Sequence, residues 1–110
     1  MPHGNQEIQE VLDLETASDF EIKHFPTLEA LGDNKFKVTV GKDITHPQTE
    51  EHLIDEINLF VNGRLAAEKK LEPGQEQVAE FEVQVLAGDQ LYALADCNLH
   101  GVFKSHVLKA

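Results

Sequence analysis

Alternation of apolar and polar positions dominates the chain and predicts strands. In "KFKVTV", Phe36, Val38 and Val40 fall on one face. In "HLIDEINLFVN", Leu53, Ile57, Leu59 and Val61 share a face that Asp55 interrupts, which places Asp55 near a rim. Asn62-Gly63 follows, a strong hairpin signal because both central residues of a type I′ turn need positive φ. "RLAAEKKL" reads as the returning strand and Pro73-Gly74 as the next turn. "VAEFEVQV" puts Ala79, Phe81, Val83 and Val85 inward, and "AGDQ" turns the chain again. "QLYALADC" and "GVFKSHVL" read as the last two strands, joined by "NLHG".

The segment ahead of these strands has a different period. Met1 to Gln6 reads as a loose tail. Ile8, Val11 and Leu12 recur at one-turn spacing, which predicts a short amphipathic helix over residues 7–15, or else an extended segment, ending near Ser18. Many short strands joined by tight turns with almost no helix predict an antiparallel β-sandwich or barrel. No repeat, linker or low-complexity stretch divides the chain. The expectation is one domain over 1–110, with an N-terminal segment at 1–18 and a sandwich at 19–110.

Composition narrows the function classes. The 110 residues are 41% apolar and carry a formal net charge of −11. That charge disfavours nucleic acid, whose phosphates need clustered Lys and Arg, and anionic membrane surfaces alike. It favours solubility and a basic protein partner. A single cysteine precludes an internal disulfide framework. No apolar run is long enough for a membrane helix, and "MPHGNQEIQEV" does not read as a signal peptide. A cytoplasmic location is the default expectation.

The candidate chemistry lies in one cysteine and six histidines. Cys97 and His100 have C-x-x-H spacing, so a thiolate and an imidazole can reach one ion across a tight loop. His46 and His52 stand six apart in "THPQTEEH", where Pro47 stiffens the loop. His24 sits in "IKHFP", with Pro26 marking a strand end or turn. All three settings are loop–strand junctions, where the loops of a sandwich gather. Four imidazoles and one thiolate exceed the tetrahedral quota of structural zinc and suit iron. Two readings compete. A cysteine nucleophile with a histidine base uses one histidine and leaves three unexplained. A buried inert cysteine explains none.

In the order "KHFP", "HPQTEEH", "LEPGQ" and "CNLHG", the chain resembles the iron domain of the superoxide reductases, the desulfoferrodoxin and neelaredoxin family. The resemblance runs from about Glu21 to Lys104. The rubredoxin-like domain of desulfoferrodoxins, with its two cysteine pairs, is missing, so the likeness is to the short one-iron neelaredoxin type. It implies an immunoglobulin-like antiparallel β-sandwich and one Fe2+/Fe3+ centre per chain. By motif, the implied ligands are His24, His46, His52 and His100 around the iron and Cys97 on its axis. His3 and His106 match no ligand position and read as solvated side chains.

The implied activity is one-electron reduction of superoxide to hydrogen peroxide. A rubredoxin-like or other small electron donor restores the iron, and the chains form dimers or tetramers. Lys23 matches the lysine that precedes the family's first histidine, where it attracts the anion and organises a proton-delivering water. The family's glutamate at the next position back is replaced by Ile22, which cannot ligate. Glu21 is adjacent but on the other face of a strand, and Glu50 or Glu51 could substitute. The expected oxidised state has water, hydroxide or an empty sixth position. Lys23, Lys42 and Lys104 are expected to offset the overall negative charge locally. The alternative is a non-catalytic metal-binding β-sandwich or an electron-transfer module.

Overall fold

The computed structural model describes residues 8–10, 24–41 and 46–110. Nine strands form among them. They are β1 (Ile8–Glu10), β2 (Pro26–Gly32), β3 (Lys35–Val40), β4 (Ile54–Val61), β5 (Arg64–Lys70), β6 (Val78–Glu82), β7 (Gln90–Cys97), β8 (Gly101–Lys104) and β9 (Leu108–Lys109). The larger sheet runs β1-β8-β7-β4-β5, with β9 also pairing to β7. The smaller runs β2-β3-β6. Every pairing is antiparallel except β1 with β8, which is parallel. This is the all-β, antiparallel architecture that the alternation predicts.

The sheets are joined through their apolar faces. Val38 and Val40 of β3 and Ala79 of β6 are buried in one cluster with Ile54 and Ile57 of β4, Ala93, Ala95 and Cys97 of β7, and Phe103 of β8. A large side chain buried in this way contributes about 1.5–3 kcal/mol. Farther from Cys97, Phe36, Leu59 and Leu91 form a second cluster, against which Val83 and Val85 pack. These two valines face inward as predicted, although β6 ends at Glu82.

The turn chemistry holds. Asn62 and Gly63 have φ of 50° and 81°, and they join β4 to β5. The face assigned to β4 needs correction. A register shift between Ile54 and Glu56 resets the parity, so Ile54 joins Ile57 and Leu59 inside. Strict alternation would have put Ile54 on the opposite face. Asp55 lies at this irregularity and is half-buried, with its carbonyl accepting the Leu71 N–H at 2.8 Å.

Three further segments are resolved by the structure, the first in favour of the extended alternative. Ile8–Glu10 is a strand on the edge of β8, not part of a helix; the rest of 7–15 lies outside the described residues. "PTLEALG" forms β2, which its helix-favouring Leu, Glu and Ala conceal. "GVFKSHVL" is two strands rather than one. Between them the Ser105 hydroxyl accepts the Ala93 N–H at 2.8 Å and donates to the His106 carbonyl at 2.9 Å.

Candidate metal centre

Three chain segments converge where β2, β4 and β7 meet their loops. His24 precedes β2 and is fully buried. Its ring stacks on Phe103 of β8, with centroids 4.7 Å apart at 26°. His46 and His52 lie in the loop before β4. Cys97 ends β7, and His100 lies in the three-residue connection to β8. Gly101 closes that hairpin at φ 95°, a conformation that L side chains rarely adopt.

The four imidazoles form a ring around a common centre. His24–His46, His46–His52, His52–His100 and His24–His100 are all edge-to-face, with centroids 4.4, 4.6, 4.9 and 4.9 Å apart. The diagonal pair His24–His52 is 6.2 Å apart. His24 Nε2 lies 3.0 Å from His46 Nε2 and 3.0 Å from His100 Nδ1. Cys97 Sγ lies 3.5 Å from His46 Nε2 and 3.7 Å from His100 Nδ1. One donor atom from each of the five residues falls within 4.8 Å of all the others.

This donor set fits a transition-metal ion. A neutral imidazole has one N–H, so His24 Nε2 cannot donate to both of its nitrogen neighbours. A shared cation satisfies all the lone pairs at once. Two adjacent edges of the nitrogen square are 3.0 Å long. The centre of a square of that side is about 2.1 Å from each corner, the length of a typical bond from imidazole nitrogen to zinc. Four nitrogens and a sulfur exceed what tetrahedral zinc accepts and suit iron.

The protonation state of His46 agrees with ligation, and the Cys97 thiol gives up its proton when a metal binds. Burial pushes His46 down to about 4; repulsion from His24, His52 and His100 adds to this, and its hydrogen bond to Pro47 opposes it. The ring is therefore neutral at ordinary pH. Its Nδ1–H donates to the Pro47 carbonyl at 2.5 Å, leaving the Nε2 lone pair for the centre. Burial pushes the Cys97 thiol up, and the N–H groups of Leu99 and His100, directed at the sulfur, pull it part of the way back. Asp96 and Asp55 push it up further. A cysteine nucleophile needs its pKa lowered, and a His46 near 4 is a poor base. Both facts weigh against the nucleophile reading.

Side-chain amides hold the converging loops, and sequence reasoning missed them. Asn98 Oδ1 accepts the Leu53 N–H at 3.0 Å and its Nδ2 donates to the Glu51 carbonyl at 3.0 Å, tying the Cys97–His100 turn to the His52 loop. Gln48 Oε1 accepts the Ile54 N–H at 3.0 Å, and its Nε2 donates to the carbonyls of Ile54 at 3.1 Å and Glu72 at 3.2 Å. Buried Gln77 donates to the carbonyls of His46 at 2.7 Å and Pro47 at 3.0 Å. Gln48 and Asn98 sit inside the quoted motifs, the one signal that pointed to them. The missed Phe103 gave no signal beyond its place on a strand.

Access to the cluster is one-sided. His24, His46 and Cys97 are buried, His52 is half-buried and His100 is exposed. Lys23, Ile22, Glu21, Lys42 and His3 lie outside the described residues. Lys104 does not join a cationic rim as expected. It neighbours Phe103 on β8, so it points to the opposite face of the sheet, where its Nζ lies 4.6 Å from the Tyr92 ring centroid. His106 is exposed as expected, with its ring edge-to-face on Phe25.

The desulfoferrodoxin family model matches residues 16–106. The chain belongs to the desulfoferrodoxin family. It is 37% identical to a desulfoferrodoxin homolog from Archaeoglobus fulgidus, across 86% of this chain and 71% of that protein. It is 35% identical to the superoxide reductase of Pyrococcus abyssi, across 77% of this chain and 85% of that one. Its fold matches the one-iron superoxide reductase of Giardia intestinalis with a TM-score of 0.70 at 33% identity, covering 80% of this chain and 98% of that structure. Its superoxide reductase relatives are iron enzymes, and the five-residue cluster fits one such ion. Among the described residues, no helix is long and apolar enough to cross a membrane.

Proposed function

We propose that the protein is a superoxide reductase of the one-iron type, with His24, His46, His52, His100 and Cys97 as the iron ligands. The observation that carries this is the gathering of four imidazoles and one thiol within 4.8 Å. When bound, the iron supplies the single electron that, with two protons, converts superoxide to hydrogen peroxide. Its return to the ferrous state needs one electron from a small rubredoxin-like or similar carrier.

The chain's own groups provide the surroundings for that chemistry. The buried rings of His24 and His46 close one side of the centre, and exposed His100 leaves the other reachable. Two backbone N–H groups share the charge of the Cys97 sulfur and moderate its donor strength. Lys23 draws the anion in and orders the water that delivers its proton. Its field has to work locally, because the net charge of −11 repels superoxide at long range and salt screens beyond about 10 Å. With Ile22 in the glutamate's position, that site would offer no carboxylate to a bound iron. The protein works as one domain in the cytoplasm and as a homo-oligomer.

The test mixes the ferrous protein with a pulse of superoxide. Stoichiometric peroxide without oxygen release supports the reductase reading. Oxygen release would make it a dismutase, and absence of reaction would leave a metal-binding or electron-transfer module.

A further inference from the structure

Gln77 lies outside the ligand set, in the turn before β6, yet it is buried at 8% exposure. Its Nε2 faces three acceptors: the His46 carbonyl at 2.7 Å, the Pro47 carbonyl at 3.0 Å and Gln48 Oε1 at 2.9 Å. The Pro47 carbonyl is also the acceptor for His46 Nδ1–H, at 2.5 Å. One carbonyl oxygen, with two lone pairs, thus receives both the candidate ligand's outward N–H and the glutamine amide. The backbone of Gln77 is fixed as well, since its carbonyl accepts the Val40 N–H at 2.9 Å.

A ring's second nitrogen sets the donor strength of its first. A firm Nδ1–H···O bond makes Nε2 more basic and favours the higher charge on a bound metal. The His46–Pro47 contact joins adjacent residues, so it depends on the peptide plane being held in one orientation. Gln77 grips the Pro47 carbonyl and the one before it, on either side of the Pro47 ring. We propose that Gln77 is a positioning residue that sets the donor strength of His46 by clamping the Pro47 carbonyl against its Nδ1–H. This rests on the reading of the cluster as an iron centre.

The test compares the iron-loaded wild type with Gln77→Met, which keeps the side-chain volume and removes the donor, and Gln48→Met, which cuts the same amide network without removing the donor to Pro47. Visible absorbance is followed through a redox titration, and iron affinity is measured by competition with a chelator. Gln77→Met is expected to favour the ferrous form and to bind iron about tenfold more weakly, in line with the loss of an outer hydrogen bond. Gln48→Met is expected to melt earlier but titrate close to wild type.

An unchanged midpoint in Gln77→Met, or an equal shift in both variants, would overturn the proposal. If Gln77→Met does not fold, zinc-loaded wild-type protein decides by nitrogen-filtered proton NMR. Slowly exchanging Gln77 Nε2 protons together with a downfield, protected His46 Nδ1 proton support the clamp, and rapidly exchanging Gln77 Nε2 protons refute it. Failure of the wild type to form an iron–thiolate band would overturn the iron reading itself, whereas a normal band with no Gln77 effect sinks the clamp alone.

Discussion

Besides His24, the centre is assembled from two loops built on different principles. The Cys97–His100 connection is a short hairpin turn. Cys97 pairs with Gly101 in the ladder, and Gly101 supplies the positive φ that closes the loop. The backbone alone places the sulfur and His100 on one side. The His46–His52 loop has no such ladder. Thr49 and His52 bond to each other through the Thr49 N–H and hydroxyl, while Gln48, Gln77 and Asn98 tie the loop to its surroundings. The hairpin half is fixed by local chain geometry, and the other half by neutral amides, its own Gln48 and the distant Gln77 and Asn98. The second half is therefore the one that single polar substitutions should loosen.

The largest effect is expected at the hairpin's ligand. Cys97→Ser should remove thiolate character altogether, eliminating any visible band from iron-loaded protein and lowering iron affinity by about 10–100-fold or more. Absorbance and metal competition check this. Next comes the bridge between the two loops. Asn98→Ala strands the part-buried Leu53 N–H and leaves the exposed Glu51 carbonyl to water, at a cost of about 1–2 kcal/mol in denaturant unfolding. Iron affinity should fall with it, because His52 and Cys97 lose their common tie. Gly101→Ala probes the hairpin half directly and should cost about 1–3 kcal/mol through backbone strain.

The pH response is subtler. His46 falls from an ordinary 6.5 to about 4 in the folded, metal-free protein. As pH falls through 6.5, the unfolded chain gains a proton that the folded chain refuses. Stability should therefore decline between about 6.5 and 4, stop declining from this source below 4, and be complete above 6.5. Chemical denaturation across that range measures it, and His46→Gln should flatten the slope. The smallest effect is expected at Lys23→Ala, which should slow the second-order reaction with superoxide and weaken its salt dependence without altering the spectrum.

Much of this arrangement was legible in the chain. Alternation found β3, β4 and β7, and Asn62-Gly63 fixed the β4–β5 hairpin. The five clustered residues stood out because histidine and cysteine carry metal chemistry in their type and spacing. What escaped has physical causes. Ile8 and Val11 mimic a helical period, but edge pairing with β8 decides the conformation of Ile8–Glu10. The Leu28–Leu31 core of "PTLEALG" favours helix, and its pairing with β3 overrides propensity. The register shift in β4 has no residue signature. Gln48, Gln77 and Asn98 are neutral amides whose value depends wholly on which carbonyl they meet. Lys104, close to the motif in sequence, went to the other face because strand neighbours alternate.

The most direct measurement is the visible spectrum of the iron-loaded protein before and after a mild oxidant, with Cys97→Ser alongside. Iron held by Cys97 and the four histidines predicts a blue band on oxidation, from thiolate-to-ferric charge transfer, that the serine variant lacks. A wild-type protein that stays colourless after iron loading and oxidation would contradict the iron–thiolate centre.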